Sequence, residues 1–363
     1  MNTKILAILV LSAIFLLGAV PGCLATDRYV PCGGPTPCYA TIQAAVNNAS
    51  AYDTIYVAAG TYIENVNIPS GKDYLRLVGH SKDDTIIEAT TTGIFAKSPV
   101  IIQGFHITTA AFTSGIKIKA NGNATNPGII QDNKIDHLTR GILFQSNQQY
   151  WEIKNNEITY CTSGIYFESA SHILVSENTF SECGAGCGGI EGDDVQIVWN
   201  NFAGSTVCDS HAIGFCAGVP TNLLISHNQI TGHTYGIWAQ ACQPTTPPPE
   251  GPAFVQGTVV DGVKVTCNNI EGNSDYGILN DGTCELNAEN NYWGHYTGPS
   301  HSPGSGDSVS ANVDFEPWLS TPFEYCPECG GAAQLPAFGT LGVVSLIGLL
   351  SVVLAVAILR KRE

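Results

Sequence analysis

Asp193-Asp194 and Asp209-Ser210-His211 have the residue types and spacing for acid–base chemistry. Two carboxylates flanking a glycosidic bond can serve as general acid and general base, and a nearby imidazole can carry the same proton. Glu191 stands beside the first pair. Glu191, Asp193 and Asp194 together offer the oxygen donors that Ca²⁺ prefers. The competing reading is a solvated turn, since Asp is common where a strand is about to begin. The nine histidines show no metal-binding spacing, so no zinc or copper centre is expected. Trp151, Trp199, Tyr235, Trp238 and Tyr276 could line a sugar-binding face or could fill a core.

These residues lie inside a repeat that has to position them. An Asn followed two residues later by an apolar side chain recurs at Asn133, Asn156, Asn178, Asn200, Asn228, Asn268 and Asn291, in steps of 23, 22, 22, 28, 40 and 23. Gly-Ile pairs at Gly115, Gly141, Gly164, Gly189, Gly236 and Gly277 interleave with it, with Ala212-Ile213 as a variant. Apolar residues also stand three before each Asn, as in Ile130, Ile153 and Val175. That alternation describes short strands with one face inside. A crossover helix does not fit in a period near 22, so a βαβ fold is excluded. The pattern predicts three short strands per turn of a parallel β-helix, with the asparagines stacked as an internal ladder and not as ligands. Stacking places Asp193-Asp194 and Asp209-His211 on successive coils, where they are expected to converge. The period breaks at 203–222 and at the proline-rich 242–257. Proline cannot join a ladder, and insertions in solenoids often mark the binding face.

The two ends set the address. Residues 1–25 have the basic start, apolar run and small-residue end of a signal peptide. The ectodomain is expected over 26–320, a cysteine-containing juxtamembrane linker over 321–337, and a transmembrane helix with a basic tail over 338–363. This predicts an exported cell-surface protein held by one C-terminal helix. Thirteen cysteines suit an oxidising compartment. Cys161 and Cys183 each stand five residues after a ladder Asn, which places them in bridging range on neighbouring coils, about 4.8 Å apart. Cys32 with Cys38 and Cys326 with Cys329 are the other expected disulfides. A net charge of −16 argues against a nucleic-acid partner.

Ala40-Thr-Ile-Gln-Ala-Ala-Val and Asp53-Thr-Ile-Tyr-Val-Ala-Ala-Gly-Thr-Tyr-Ile-Glu resemble the opening of the pectin-lyase-like right-handed parallel β-helices. The Asn-x-Ile coils are similar to carbohydrate-binding and NosD-like repeats. Leu335-Pro336-Ala337-Phe338-Gly339, the apolar run and the basic tail resemble the C-terminal sorting signals of prokaryotic surface proteins. The resemblance implies an all-β, right-handed parallel β-helix with an N-terminal capping helix. It leaves activity open, because the fold hosts many functions. The esterase-like Gly60-x-Tyr62-x-Glu64 is present without the catalytic segments that accompany it. A lyase-type Arg base is missing, since 141–320 contains no Arg. The hydrolase-type Arg-x-Lys clamp is missing as well. The expectation is a non-catalytic surface protein that binds polysaccharide or another surface component, or acts as a rigid spacer. The alternative is a polysaccharide lyase or glycoside hydrolase centred on Asp193, Asp194, Asp209 and His211. No resident cofactor is expected, and Ca²⁺ is the one ion these carboxylates suit.

Overall fold

The computed structural model describes residues 25–109, 113–215, 222–239, 259–301 and 303–325. The expected signal peptide up to residue 24, the insertion at 242–257, Cys326, Cys329 and the expected C-terminal span lie outside them. No helix among the described residues is long and apolar enough to cross a membrane.

Short parallel strands wind into a right-handed solenoid with three faces. Sheet A has twelve strands, sheets B and C nine each. Each coil runs through A, then B, then C, as in Gly128–Gln131, Lys134–Asp136 and Arg140–Phe144. One residue of every pair faces inward. Ile130, Ile153 and Val175 stack in sheet A, Ile135, Ile158 and Phe180 in sheet B, and Ile142, Ile165 and Cys187 in sheet C. All are buried, as are the stacked rings of Phe180 and Phe202, 4.7 Å apart. The solenoid thus has one continuous apolar core.

The asparagines occupy the corner between sheets A and B. Asn178 Nδ2 donates to the Ile153 carbonyl at 2.8 Å, the Ser176 carbonyl at 2.9 Å and Asn200 Oδ1 at 3.0 Å. Its own Oδ1 accepts from the N–H and the amide of Asn156, each at 2.9 Å. The pattern runs from the Phe105 N–H, which donates to Asn133, to Asn291. The ladder is therefore structural. A left-handed residue precedes each rung, with φ between 54° and 60° at Asp132, Asn155, Glu177, Trp199, His227, Cys267 and Asn290. None is glycine, although this conformation costs an L-residue energy.

The Gly-Ile beat has a packing cause. A Cβ on Gly164 would lie 2.7 Å from the Gly186 carbonyl and 2.8 Å from Phe180, so only hydrogen fits. The column passes through Gly186-Cys187, and not through the expected Gly189-Ile190. The register shifts between Cys187 and Ile190, a bulge that the spacing alone concealed.

At the N-terminus the expected capping helix spans Ile42–Asn48. Thr41 Oγ1 caps it, and both Glu64 oxygens accept from the N–H groups of Ile42 and Gln43 at 3.0 Å. The Gly-x-Tyr-x-Glu motif therefore holds a helix end. The Arg28–Asp53 pair beside it is part-buried, at 2.7 Å, with Asp53 fully enclosed. Cys32 and Cys38 form the expected disulfide. Cys267 and Cys284 are also in disulfides.

Cys161 and Cys183 correct an expectation. They stack as their offsets predict, but both are free thiols. Each sulfur turns toward main-chain carbonyls, at 3.4 Å from Thr159 O and 3.5 Å from Ser181 O. The two thiols also face each other closely enough to hydrogen-bond, so the column brings them together as expected, but as a thiol pair and not as a disulfide.

Candidate functional site

In chain order both period breaks adjoin sheet C strands: the step at 203–222 contains His211–Phe215, and the proline-rich insertion comes after Tyr235–Ala239. On the outer side of these strands His211, Tyr235 and Tyr276 are in register at the leading edge, with Trp238 three residues further along its strand, beside Gly214. The Tyr235 ring centroid lies 6.4 Å from that of Trp238 and 6.5 Å from that of Tyr276. Trp238 meets His211 edge-on at 5.4 Å and donates its Nε1–H to Asp281 at 3.2 Å. Three aromatic residues from three expected candidates thus share one surface.

The electrostatics here are acidic. Desolvation raises the Tyr235 hydroxyl above its usual range, and the carboxylates of Asp209 and Asp275 push it the same way. Phenolate is thereby disfavoured beside these anions. His211 is largely enclosed, and its Nδ1 is buried with no partner among the described residues. Burial lowers its pKa and outweighs the nearby Asp209 carbonyl, so the imidazole is neutral at pH 7. A neutral imidazole, a protonated phenol and carboxylates can donate to and accept from sugar hydroxyls.

The expected four-residue centre does not form. Asp209 and His211 lie at the start of a sheet C strand, whereas Asp193 and Asp194 follow the end of the preceding one at Ile190. In a parallel sheet these are opposite edges, at least roughly 13 Å apart over four residues. Asp194 is occupied elsewhere. Its Oδ2 lies 2.9 Å from His172 Nδ1, and its Oδ1 accepts from Asn222 at 2.8 Å. The Asp193 and Asp194 carbonyls accept from His172 and Ile173 N–H groups. Residues 191–194 are thus a turn into sheet A. Among the described residues no three His, Cys, Asp or Glu side chains come together as a metal site, so Glu191, Asp193 and Asp194 do not form the expected Ca²⁺ cluster.

His172 was missed by motif spacing. It stands 22 residues before Asp194 and 22 after Tyr150, whose ring stacks on it at 4.5 Å. Column offsets would have found the trio. Of the other aromatic candidates, Trp151 is core, and Trp199 stacks on His227 at 4.3 Å beneath Phe323.

Comparison with known proteins agrees with this architecture. A family model described as "Right handed beta helix region" matches residues 41–202 and 92–243. Among solved structures, an alginate lyase from Paenibacillus sp. str. FPU-7 is 15% identical over 79% of this chain and 99% of its own, with a TM-score of 0.55. A pectin methylesterase from carrot is 13% identical over 81% of this chain and 76% of its own, with a TM-score of 0.37. At this identity the likeness to the alginate lyase is one of fold alone. No curated protein matches. Two overlapping matches that together cover more than half of the 363 residues place the chain in the right-handed β-helix family.

Proposed function

We propose that this protein is a surface-displayed β-helix that binds polysaccharide on the outer face of sheet C. The observation that carries this reading is the convergence of Tyr235, Trp238 and Tyr276 with His211, Asp209 and Asp281, where the coil period breaks. Aromatic faces beside hydrogen-bonding groups suit sugar rings. The signal peptide and C-terminal apolar helix would present this face outside the cell, tethered to the membrane. The test is binding of the purified full chain to a polysaccharide array. Trp238→Ala is expected to weaken the signal about tenfold, and undiminished binding by that variant would sink the reading.

A second reading, polysaccharide cleavage, is favoured by the neutral His211 beside Tyr235 and Asp209. It predicts slow turnover of a bound polymer that is lost in His211→Ala. Binding without turnover leaves the first reading alone.

A further inference from the structure

A cavity of about 420 Å³ opens on sheet A at the N-terminal end of the solenoid. Tyr56 and Val78, neighbours on the outer side of that sheet, line it. Tyr29 stacks on Tyr56 with ring centroids 5.6 Å apart and planes 20° from parallel. The loop closed by the Cys32–Cys38 disulfide adds Pro31 and Pro35 to the wall, and the exposed His80 completes it. The lining is almost entirely apolar. Its size falls in the range that takes ligands, roughly 300–1,000 Å³.

The polar groups at this cavity narrow what it can hold. Neither the Tyr29 nor the Tyr56 hydroxyl has a partner among the described residues, so both can donate to a carbonyl. Arg76 stands on the same outer face, two residues before Val78. It is exposed and has no carboxylate within 4 Å among the described residues. Ring faces, free hydroxyls and an unpaired cation suit a proline-rich peptide. Prolyl rings pack on aromatic faces, a proline run has no N–H to strand, and its carbonyls are not used internally. The chain carries such a stretch. Residues 243–252 read Gln-Pro-Thr-Thr-Pro-Pro-Pro-Glu-Gly-Pro, and Glu250 is the only charged residue between 240 and 258.

One chain cannot bring this stretch to its own Tyr56. The sheet A strand Leu223–Ser226, in the coil that leads to Ala239, is seven strand steps from Thr54–Val57, and Val259–Thr266 is eight. At about 4.8 Å per step these are about 34 and 38 Å. Pro248 is nine residues from Ala239, and Pro249 is ten from Val259. Fully extended, those lengths reach at most about 32 and 36 Å. Every other proline of the stretch is closer to one of these two ends. We propose that the cavity docks residues 243–252 of a second copy of this chain, with prolyl rings on Tyr29 and Tyr56 and Glu250 paired to Arg76. Two copies with antiparallel axes make the contact twice, which closes a dimer. The inference goes beyond the sugar-binding reading and shares no residue with it.

Sedimentation velocity of the full chain in mild detergent, over a range of concentrations, tests this. The native chain is expected to pass from monomer to dimer. Tyr56→Ala, which trims an exposed side chain, should melt like the native chain and stay monomeric. The triple variant Pro247→Ser, Pro248→Ser, Pro249→Ser should stay monomeric as well. An equimolar mixture of the two variants should associate again, because one supplies the cavity and the other the stretch. A synthetic peptide of residues 243–252 should compete with the native association and bind Tyr56→Ala roughly tenfold or more weakly. Arg76→Gln should weaken the peptide roughly threefold, at low salt only. Unchanged association in either variant, or a mixture that stays monomeric, overturns the inference. A native chain that stays monomeric while binding the peptide overturns the second copy as occupant. A native chain that does neither overturns the docking site itself. Peptide affinity untouched by Arg76→Gln overturns the charge match.

Discussion

The asparagine corner and the outer face of sheet C are made by the same coils under opposite demands. At the corner every rung repeats one residue, because each amide must satisfy carbonyls that water cannot reach. On sheet C only the inward Gly and Ile positions repeat. The outward ones change from Phe95 and Lys117 to Tyr235 and Trp238 along the axis. Repetition therefore marks what holds the solenoid together, and variation on a regular scaffold marks what it can recognise. A centre built from stacked carboxylates does not form for the same reason, because Asp194 belongs to a corner and His211 to a face.

The comparison can be broken or sharpened by four experiments. The largest effect is expected at the corner. Asn178→Ala strands the Ile153 and Ser176 carbonyls and the N–H of Asn156, and should cost about 4 kcal/mol in urea unfolding, several buried groups at once. Polymer affinity of the folded fraction should not change. A loss under about 1 kcal/mol would mean that the ladder does not carry the stack.

The next effect is pH-dependent. His233 is buried, both ring nitrogens lack partners among the described residues, and burial lowers its pKa from 6.5 to about 4, with His211 adding to the shift. The unfolded chain thus binds a proton that the fold refuses. Stability from this site is complete above about pH 6.5 and is lost as pH falls toward 4, by about 3 kcal/mol in all. His233→Gln should flatten that slope in melts between pH 4 and 7. An unchanged slope would assign it to other groups.

Trp238→Ala should weaken polysaccharide binding about tenfold, near 1.4 kcal/mol. Its melting transition should stay within about 0.5 kcal/mol of native, as for a surface substitution. A large loss of stability would move Trp238 from the face to the framework. The smallest effect is expected for Asp194→Asn. It breaks a part-exposed pair with His172 worth about 0.5 kcal/mol or less, and should leave binding and any turnover unchanged. Loss of activity there would restore the carboxylate centre.

The framework was legible in the sequence and the recognition face largely was not, for physical reasons. A buried amide ladder permits only Asn, so Asn133 to Asn291 announce themselves. The inward glycines do so almost as well, but the bulge after Cys187 shifted the beat from Gly186 to Gly189, because a repeat counted along the chain cannot see a register shift across it. The corner residues were hidden, since Trp199, His227 and Cys267 adopt left-handed backbone without the glycine that usually signals it. Cys161 and Cys183 show that a column brings two thiols together without deciding whether they are bonded. The outer face of sheet C was hidden because Phe95, Lys117, Leu143 and Tyr166 are spread over 72 residues, and only the sheet brings them side by side.

Hydroxyl-radical footprinting of the full chain, with and without bound polysaccharide, tests the sheet C face most directly. Tyr235, Trp238 and Tyr276 should become protected from oxidation, while the exposed Tyr56 on sheet A and Tyr160 at the corner between sheets B and C react as before. Protection of Tyr56 or Tyr160, with Tyr235 and Trp238 still reactive, would contradict the account.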